Sequence, residues 1–179
     1  LVDDAIDALT TSIGDQGYAF IDIRPNIQRD RETGVINITF TIAEGPKVYV
    51  ERIDVVGNVR TLDEVVRREF RLVEGDAFSS SKLKRSRQRV ENLNFFKSVD
   101  VKTLPGSSPD QTVLEVDVEE KSTGEFSIGA GYGTDDGAFG QAGIRERNLL
   151  GKGQDLRLGF TIGSSSQPVD LSFTAPYFL

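Results

Sequence analysis

Val2, Ile6, Leu9 and Ile13 fall on one face of a helix over residues 2–13, and Gly14 and Gly17 supply its stop. YAFIDIRPNI then reads as a strand, and the polar stretch Arg29 to Gly34 as a turn. In VINITFTIA, Ile36, Ile38, Phe40 and Ile42 alternate with Asn37, Thr39 and Thr41, the period of a half-buried strand. Glu44-Gly45-Pro46 interrupts the pattern. The next strand runs from Lys47 to Val56, and its apolar phase slips between Val50 and Ile53, which predicts a bulge. Thr61, with Glu64 three residues later, predicts a capping box on a helix that turns Leu62, Val65, Val66 and Phe70 inward. A second helix begins near Ser79 to Ser81 with Leu83, Val90 and Leu93 as its stripe. KSVDVKTL and TVLEVDVEE are strands on either side of the turn PGSSPDQ.

These stretches match as units. GYAF…ITFTIAEG follows its helix as NFFKSVDV…LEVDVEEK follows its own, with Gly17-Tyr18 aligned to Asn94-Phe95. Residues 1–43 therefore read as the second half of a repeat whose full copy is 47–121. The complete unit is β-α-α-β-β, with helices packed on one face of a small sheet and Val55, Val65, Phe70, Leu83, Val90, Val99 and Val116 as its core.

From Gly124 the charges thin out, glycine rises and helical spacing vanishes. Phe126, Ile128, Ala130 and Tyr132 alternate with polar residues and with Gly129, Gly131 and Gly133. Leu156, Leu158, Phe160 and Ile162 alternate likewise, as do Val169, Leu171 and Phe173, with a weaker run over 138–145. This is the pattern of antiparallel strands with one apolar and one polar face.

Composition narrows the chemistry. A net charge of −7 over 179 residues argues against a general nucleic-acid binder. There is no Cys, His, Met or Trp, which argues against zinc, haem, thiol and Ser-His chemistry; metal and cofactor are expected to be none. The missing methionine predicts an internal segment of a longer chain, with targeting information upstream. A dinucleotide loop needs its glycines to open a helix, but Thr134-Asp135-Asp136-Gly137 leads into another strand-like run. Gly151-Lys152-Gly153 lacks the hydroxyl residue of a Walker loop. No nucleotide site is expected. The glycines thin one face of a strand, either because neighbours crowd it or because the strand is meant to pair poorly and open at its edge.

GPKVYVERIDVVGN, RREF, EGD, NFFKSVDV, SPDQ and GEFSIGAGYGT, in that order, resemble the POTRA-repeat outer-membrane β-barrel family of protein assembly factors. The resemblance covers essentially the whole chain. It implies α+β POTRA repeats, each β-α-α-β-β with a mixed three-stranded sheet and two helices on one face, followed by the first antiparallel strands of a transmembrane β-barrel. Residues 1–44 would end the penultimate repeat, 45–121 would be the last repeat, and 122–179 would open an incomplete barrel. It further implies repeats in the periplasm of a Gram-negative bacterium and no enzymatic activity. Thr134 to Gly137 and Gly163 to Pro168 would face outside, and Glu146 to Gly153 would be a periplasmic turn.

Partners follow from the same resemblance: unfolded outer-membrane protein clients, a BamD-type and other accessory lipoproteins, and outer-membrane lipid. The expected client edge of the last repeat is Lys97, Ser98, Val99, Asp100, Val101 and Lys102, the lysines also guarding it from aggregation. Arg67 and Glu69, taken as a surface pair on the first helix, are the expected lipoprotein contact. Phe126, Ile128, Gly129, Gly131, Tyr132 and Gly133 would form one side of a lateral seam. The basic run KLKRSRQR reads as a solvated helix face, or as a contact for an acidic partner or for anionic headgroups. Asn37-Ile38-Thr39 is a chance sequon inside a strand. Two other readings stay open: a POTRA-barrel transporter secreting a passenger, and an enzyme with a glycine-rich site.

Overall fold

The computed structural model describes residues 2–29, 34–133, 137–163 and 167–177. The expected turn at 30–33, most of both expected outer loops (134–136 and 164–166) and the terminal Phe178-Leu179 lie outside the described residues. The elements run α1 (Val2–Gly14), β1 (Ile21–Arg29), β2 (Ile36–Glu44), β3 (Tyr49–Val56), α2 (Asp63–Arg67), α3 (Ser80–Asn92), β4 (Phe96–Pro105), β5 (Gln111–Glu120), β6 (Gly124–Gly133), β7 (Gly137–Leu149), β8 (Gln154–Gly163) and β9 (Val169–Thr174). They make three sheets: β1-β2, then β3-β5-β4, then β6-β7-β8-β9. Contacts divide the chain into two compact units. One holds Leu1–Val56, Glu69–Val90 and Asp100–Asp117; the other holds Gly57–Arg68, Glu91–Val99 and Val118–Leu179.

The β-α-α-β-β order over β3-α2-α3-β4-β5 is the expected repeat unit. β3 pairs parallel with β5, and the register slips between Val50 and Arg52. That bulge keeps Val48, Val50 and Ile53 all buried although their spacing breaks strict alternation. On the other side of β5, Lys97 meets Glu119 at 2.9 Å and Lys102 meets Glu115 at 3.6 Å. Those pairs run in opposite directions along the strands, as antiparallel neighbours require, so the sheet is mixed. α1-β1-β2 repeats the order α3-β4-β5. The aligned residues Gly17 and Asn94 both sit in the left-handed region, at φ 102° and 60°, just after their helices.

In the first unit Val48, Val50, Ile53, Phe70, Leu72, Phe78, Val90, Val113, Leu114 and Val116 are buried; in the second, Val65, Val66, Phe95, Phe96, Val99 and Val118 are. Two expected core residues, Val55 and Leu83, are only half-buried. The capping box does not form. α2 is a five-residue helix with Leu62 at its N-cap and no side-chain cap, and Leu62 is 41% exposed. Thr61 is instead buried, and its hydroxyl accepts a hydrogen bond from the Asn148 side chain at 2.9 Å.

α3 is capped from a distance. The Ser81 N–H and the Ser79 hydroxyl each donate to Asp15 Oδ1 at 2.8 Å, and the Ser81 hydroxyl donates to Oδ2. A carboxylate at a helix start satisfies donors the helix cannot and complements its dipole. Gly14 sits beside this cap because any Cβ there would come within 1.9 Å of the Ser80 hydroxyl oxygen. The Ser81 hydroxyl and N–H hold the Asp15 carboxyl below its ordinary 3.8, against the opposing effect of burial. A lowered folded value means stability that is present above 3.8 and is lost as pH falls through the folded value. Asp15→Asn should therefore melt below wild type at neutral pH, and thermal melts in increasing acid should bring the two together. A constant gap down to pH values well below 3.8 would contradict the ionised cap.

Candidate functional site: the open strand edges

A strand at the border of a sheet carries a row of N–H and C=O groups with no ladder partner. β4 borders the three-stranded sheet and β6 borders the four-stranded one. Among the described residues, β6 pairs with β7 alone.

On β4 the expected edge residues alternate. Val99 is buried and Val101 half-buried, while Lys97, Ser98, Asp100 and Lys102 are exposed. Lys97 and Lys102 reach across to Glu119, Glu115 and Asp117 of β5. Hydrogen bonds donated to these carboxylates raise both lysines above their ordinary value, and the bond from Lys97 lowers Glu119.

On β6 one face presents Phe126, Ile128 and Tyr132, 69%, 80% and 81% exposed. The same face continues through Ile144 on β7, Phe160 and Ile162 on β8, and Val169, Leu171 and Phe173 on β9, all exposed. The opposite face holds the glycines. Gly129 stands opposite Gln141 and Gly131 opposite Phe139. A Cβ on Gly131 would lie 2.6 Å from the Phe139 ring, and one on Gly129 would lie 2.9 Å from the Gln141 amide nitrogen. The side chains of β7 thus lie across β6 in the space the glycines leave. Toward the other end of this face, Arg145 grips Asp155 with two guanidinium nitrogens and Arg147 meets Glu125 at 2.6 Å.

Glu69 differs from its expected role. It lies after α2, in the turn before Phe70, rather than on the helix, and it is 5% exposed. Its Oε2 is 2.7 Å from the Arg89 guanidinium. Arg67, the last residue of α2, is exposed. Within the basic run Lys82 is matched by Asp76, Arg87 by Asp100 and Arg89 by Glu69. Sequence reasoning also missed Asn148, a buried polar residue whose Oδ1 accepts from the Gly153 N–H at 2.7 Å while its amide donates to Thr61. The one available signal was an asparagine ahead of the closely spaced Gly151 and Gly153 in an apolar turn. Among the described residues, no group of three or more acidic residues is placed to hold a metal ion, and no helix is long and apolar enough to cross a membrane.

The POTRA family profile, described as a surface antigen variable number repeat, matches residues 1–45 and 48–121. The chain belongs to the POTRA family. It is similar to the outer membrane protein assembly factor BamA of Nitratidesulfovibrio vulgaris, 39% identical over 169 residues, and to that of Neisseria meningitidis, 37% identical over 167. These matches take in 94% and 93% of this chain but 21% of each relative, so the chain spans about a fifth of their length. Among solved structures, BamA from Haemophilus ducreyi lacking POTRA domains 1–3 aligns with a TM-score of 0.84 and 30% identity, covering 100% of this chain and 34% of that one. CdiB from Escherichia coli aligns at 0.52 and 16% identity over 89% of this chain and 29% of that one, a likeness of fold alone. This is a protein of the Gram-negative outer membrane whose POTRA repeats lie in the periplasm.

Two outcomes follow. Glu69→Lys sets two cations together at a buried site, so it should destabilise the fold by on the order of 3 kcal/mol, read by chemical denaturation. A shift within about 0.5 kcal/mol would mean the charge is solvated after all. Gly131→Val must displace the Phe139 ring, and overpacking of this kind costs about 1–3 kcal/mol. The full-length protein carrying it should melt below wild type. A higher melting temperature would favour strand propensity over crowding as the reason for the glycine.

Proposed function

We propose that this chain is the junction of a machine that folds and inserts β-barrel proteins into the outer membrane, with β6–β9 as the opening strands of its own barrel. The observation that carries the reading is an exposed apolar face that spans four strands, with β6 at one border of their sheet, in a chain 30% identical over its whole length to a BamA structure. A barrel seam at such an edge offers backbone donors and acceptors to an incoming strand. Unpaired groups in lipid cost several kcal/mol each, so pairing with a client is strongly favoured. The β4 edge, Lys97 to Lys102, receives extended clients in the periplasm by the same backbone chemistry. Arg67 is the exposed member of the proposed lipoprotein contact. Glu69, buried against Arg89, serves that contact by shaping the turn beneath it rather than by touching the partner. The chain takes no nucleotide and needs no cofactor for this work.

Identity of 30% over the whole chain with a BamA structure, against 16% with CdiB, supports assembly over passenger secretion. Depleting the protein should stop the insertion of many unrelated barrels. This chain has no cysteine, so Ile128→Cys supplies a single thiol on β6, and a stalled client with cysteines along its terminal strand should crosslink there. Loss of one secreted passenger, with barrel insertion intact, would overturn the reading in favour of a transporter.

A further inference from the structure

The turn between β7 and β8 is held by more than a hairpin needs. Asn148 uses both ends of its amide, donating to the Thr61 hydroxyl at 2.9 Å and accepting from the Gly153 N–H at 2.7 Å, while 8% exposed. The Asn148 N–H donates to Glu146, which also takes the Thr123 hydroxyl. Leu62 N–H donates to the Gly151 carbonyl at 2.9 Å. Opposite, the Glu120 carboxylate takes the N–H groups of Arg60 and Thr61 at 2.7–3.1 Å. Burial pushes Glu120 up, but these donors outweigh it and hold the carboxyl below its ordinary value. The loop ahead of α2 is thus bonded on one side to β5 and on the other to the β7–β8 turn. All these residues lie in the second unit.

Glycine makes the approach possible. A Cβ on Gly151, at φ 73°, would stand 1.9 Å from the Arg60 carbonyl oxygen, and one on Gly153, at φ 68°, 2.5 Å from the Arg68 guanidinium. Just ahead of them Leu150 sits at φ 54° with 78% of its surface exposed. A branched residue in the left-handed region is costly and persists where its surroundings over-determine it. Leu150 packs too little to repay that cost itself; the bonds on either side of it do so.

We propose that Asn148 is a positioning residue: it latches the β7–β8 turn to the loop at 58–62 and thereby fixes the root of the sheet whose open edge is β6. This rests on the assembly reading for its consequence. A seam can template a client only if the seam is held still while the client pairs, and the latch is the buried side-chain bond that holds the strands at this end, beside the longer bond from Arg68 to the Lys152 carbonyl at 3.5 Å. Unlatching leaves β6 and β7 paired but lets their root wander.

The test uses the full-length protein in lipid vesicles, with spin labels on Glu64→Cys and Lys152→Cys, both exposed positions. Wild type and Thr61→Ser, which keeps the hydroxyl, should give a narrow label–label distance distribution and the same client folding rate. Asn148→Ala and Thr61→Val should broaden the distribution and slow client folding several-fold, with the barrel itself still folded by its heat-dependent gel shift. Thr61→Val keeps the side-chain volume, so it decides the matter if Asn148→Ala fails to fold. An unchanged distribution overturns the latch. A broadened distribution with wild-type client folding overturns the positioning role. If the wild type folds no client, the assembly reading falls, and the positioning role with it, while the distances still judge the latch.

Discussion

Every strand must place its N–H and C=O groups somewhere, and a strand at the border of its sheet, as β4 and β6 are, has a side with no ladder partner among the described residues. In water an open edge is a hazard of unwanted pairing; in lipid it is a cost of several kcal/mol per group. The two edges meet this constraint differently. β4 carries Lys97 and Lys102, both answered by carboxylates of β5, so its side chains are tied inward while charge stays at the border. β6 carries no such guard at its centre, where the residues from Phe126 to Tyr132 include no charge. One edge is bordered by charge, the other by apolar residues and glycine.

Long-range carboxylates organise what lies between. Asp15 caps α3, Glu120 gathers the N–H groups ahead of α2, and the buried Glu69 neutralises a half-buried Arg89. Each bridges segments far apart in sequence, and each satisfies donors that no local residue reaches. Small sheets with short helices bury little apolar area, so such contacts decide which loop conformation is populated. The five-residue α2 illustrates this: too short to be stable alone, it is held by Glu120 and the Gly151 carbonyl on the approach to its first turn.

Periodicity made most of the elements legible. Alternation marked the strands from β1 to β9, the slipped phase at Val50–Ile53 marked the bulge, and the alignment of Gly17 with Asn94 marked two helix ends that share a left-handed residue. What failed depended on tertiary competition. Thr61 and Glu64 have capping-box spacing, but the Thr61 hydroxyl is buried against Asn148, 87 residues away, and that bond wins. Leu62 fits a helical stripe only if the helix begins earlier than it does. Glu69 read as a surface charge because RREF looks solvated; the turn after α2 swings it against Arg89 instead. Asn148 was invisible for the converse reason, since a single amide in a turn has no period.

The glycines of β6 bring these strands of reasoning together. Glycine lowers strand propensity on a scale of about 1 kcal/mol, which would weaken β6 along its whole length. Phe139 and Gln141 of β7 offset this by lying across the bare backbone at Gly131 and Gly129. The compensation comes entirely from the β7 side. Covering a glycine with an aromatic ring from the neighbouring strand secures that one pairing and contributes nothing to the other edge. The same residues therefore anchor β6 to β7. Crowding and a thinly furnished edge are then two faces of a single arrangement: the glycines are required by the neighbour that is present, and that requirement leaves little side-chain surface along the rest of the strand.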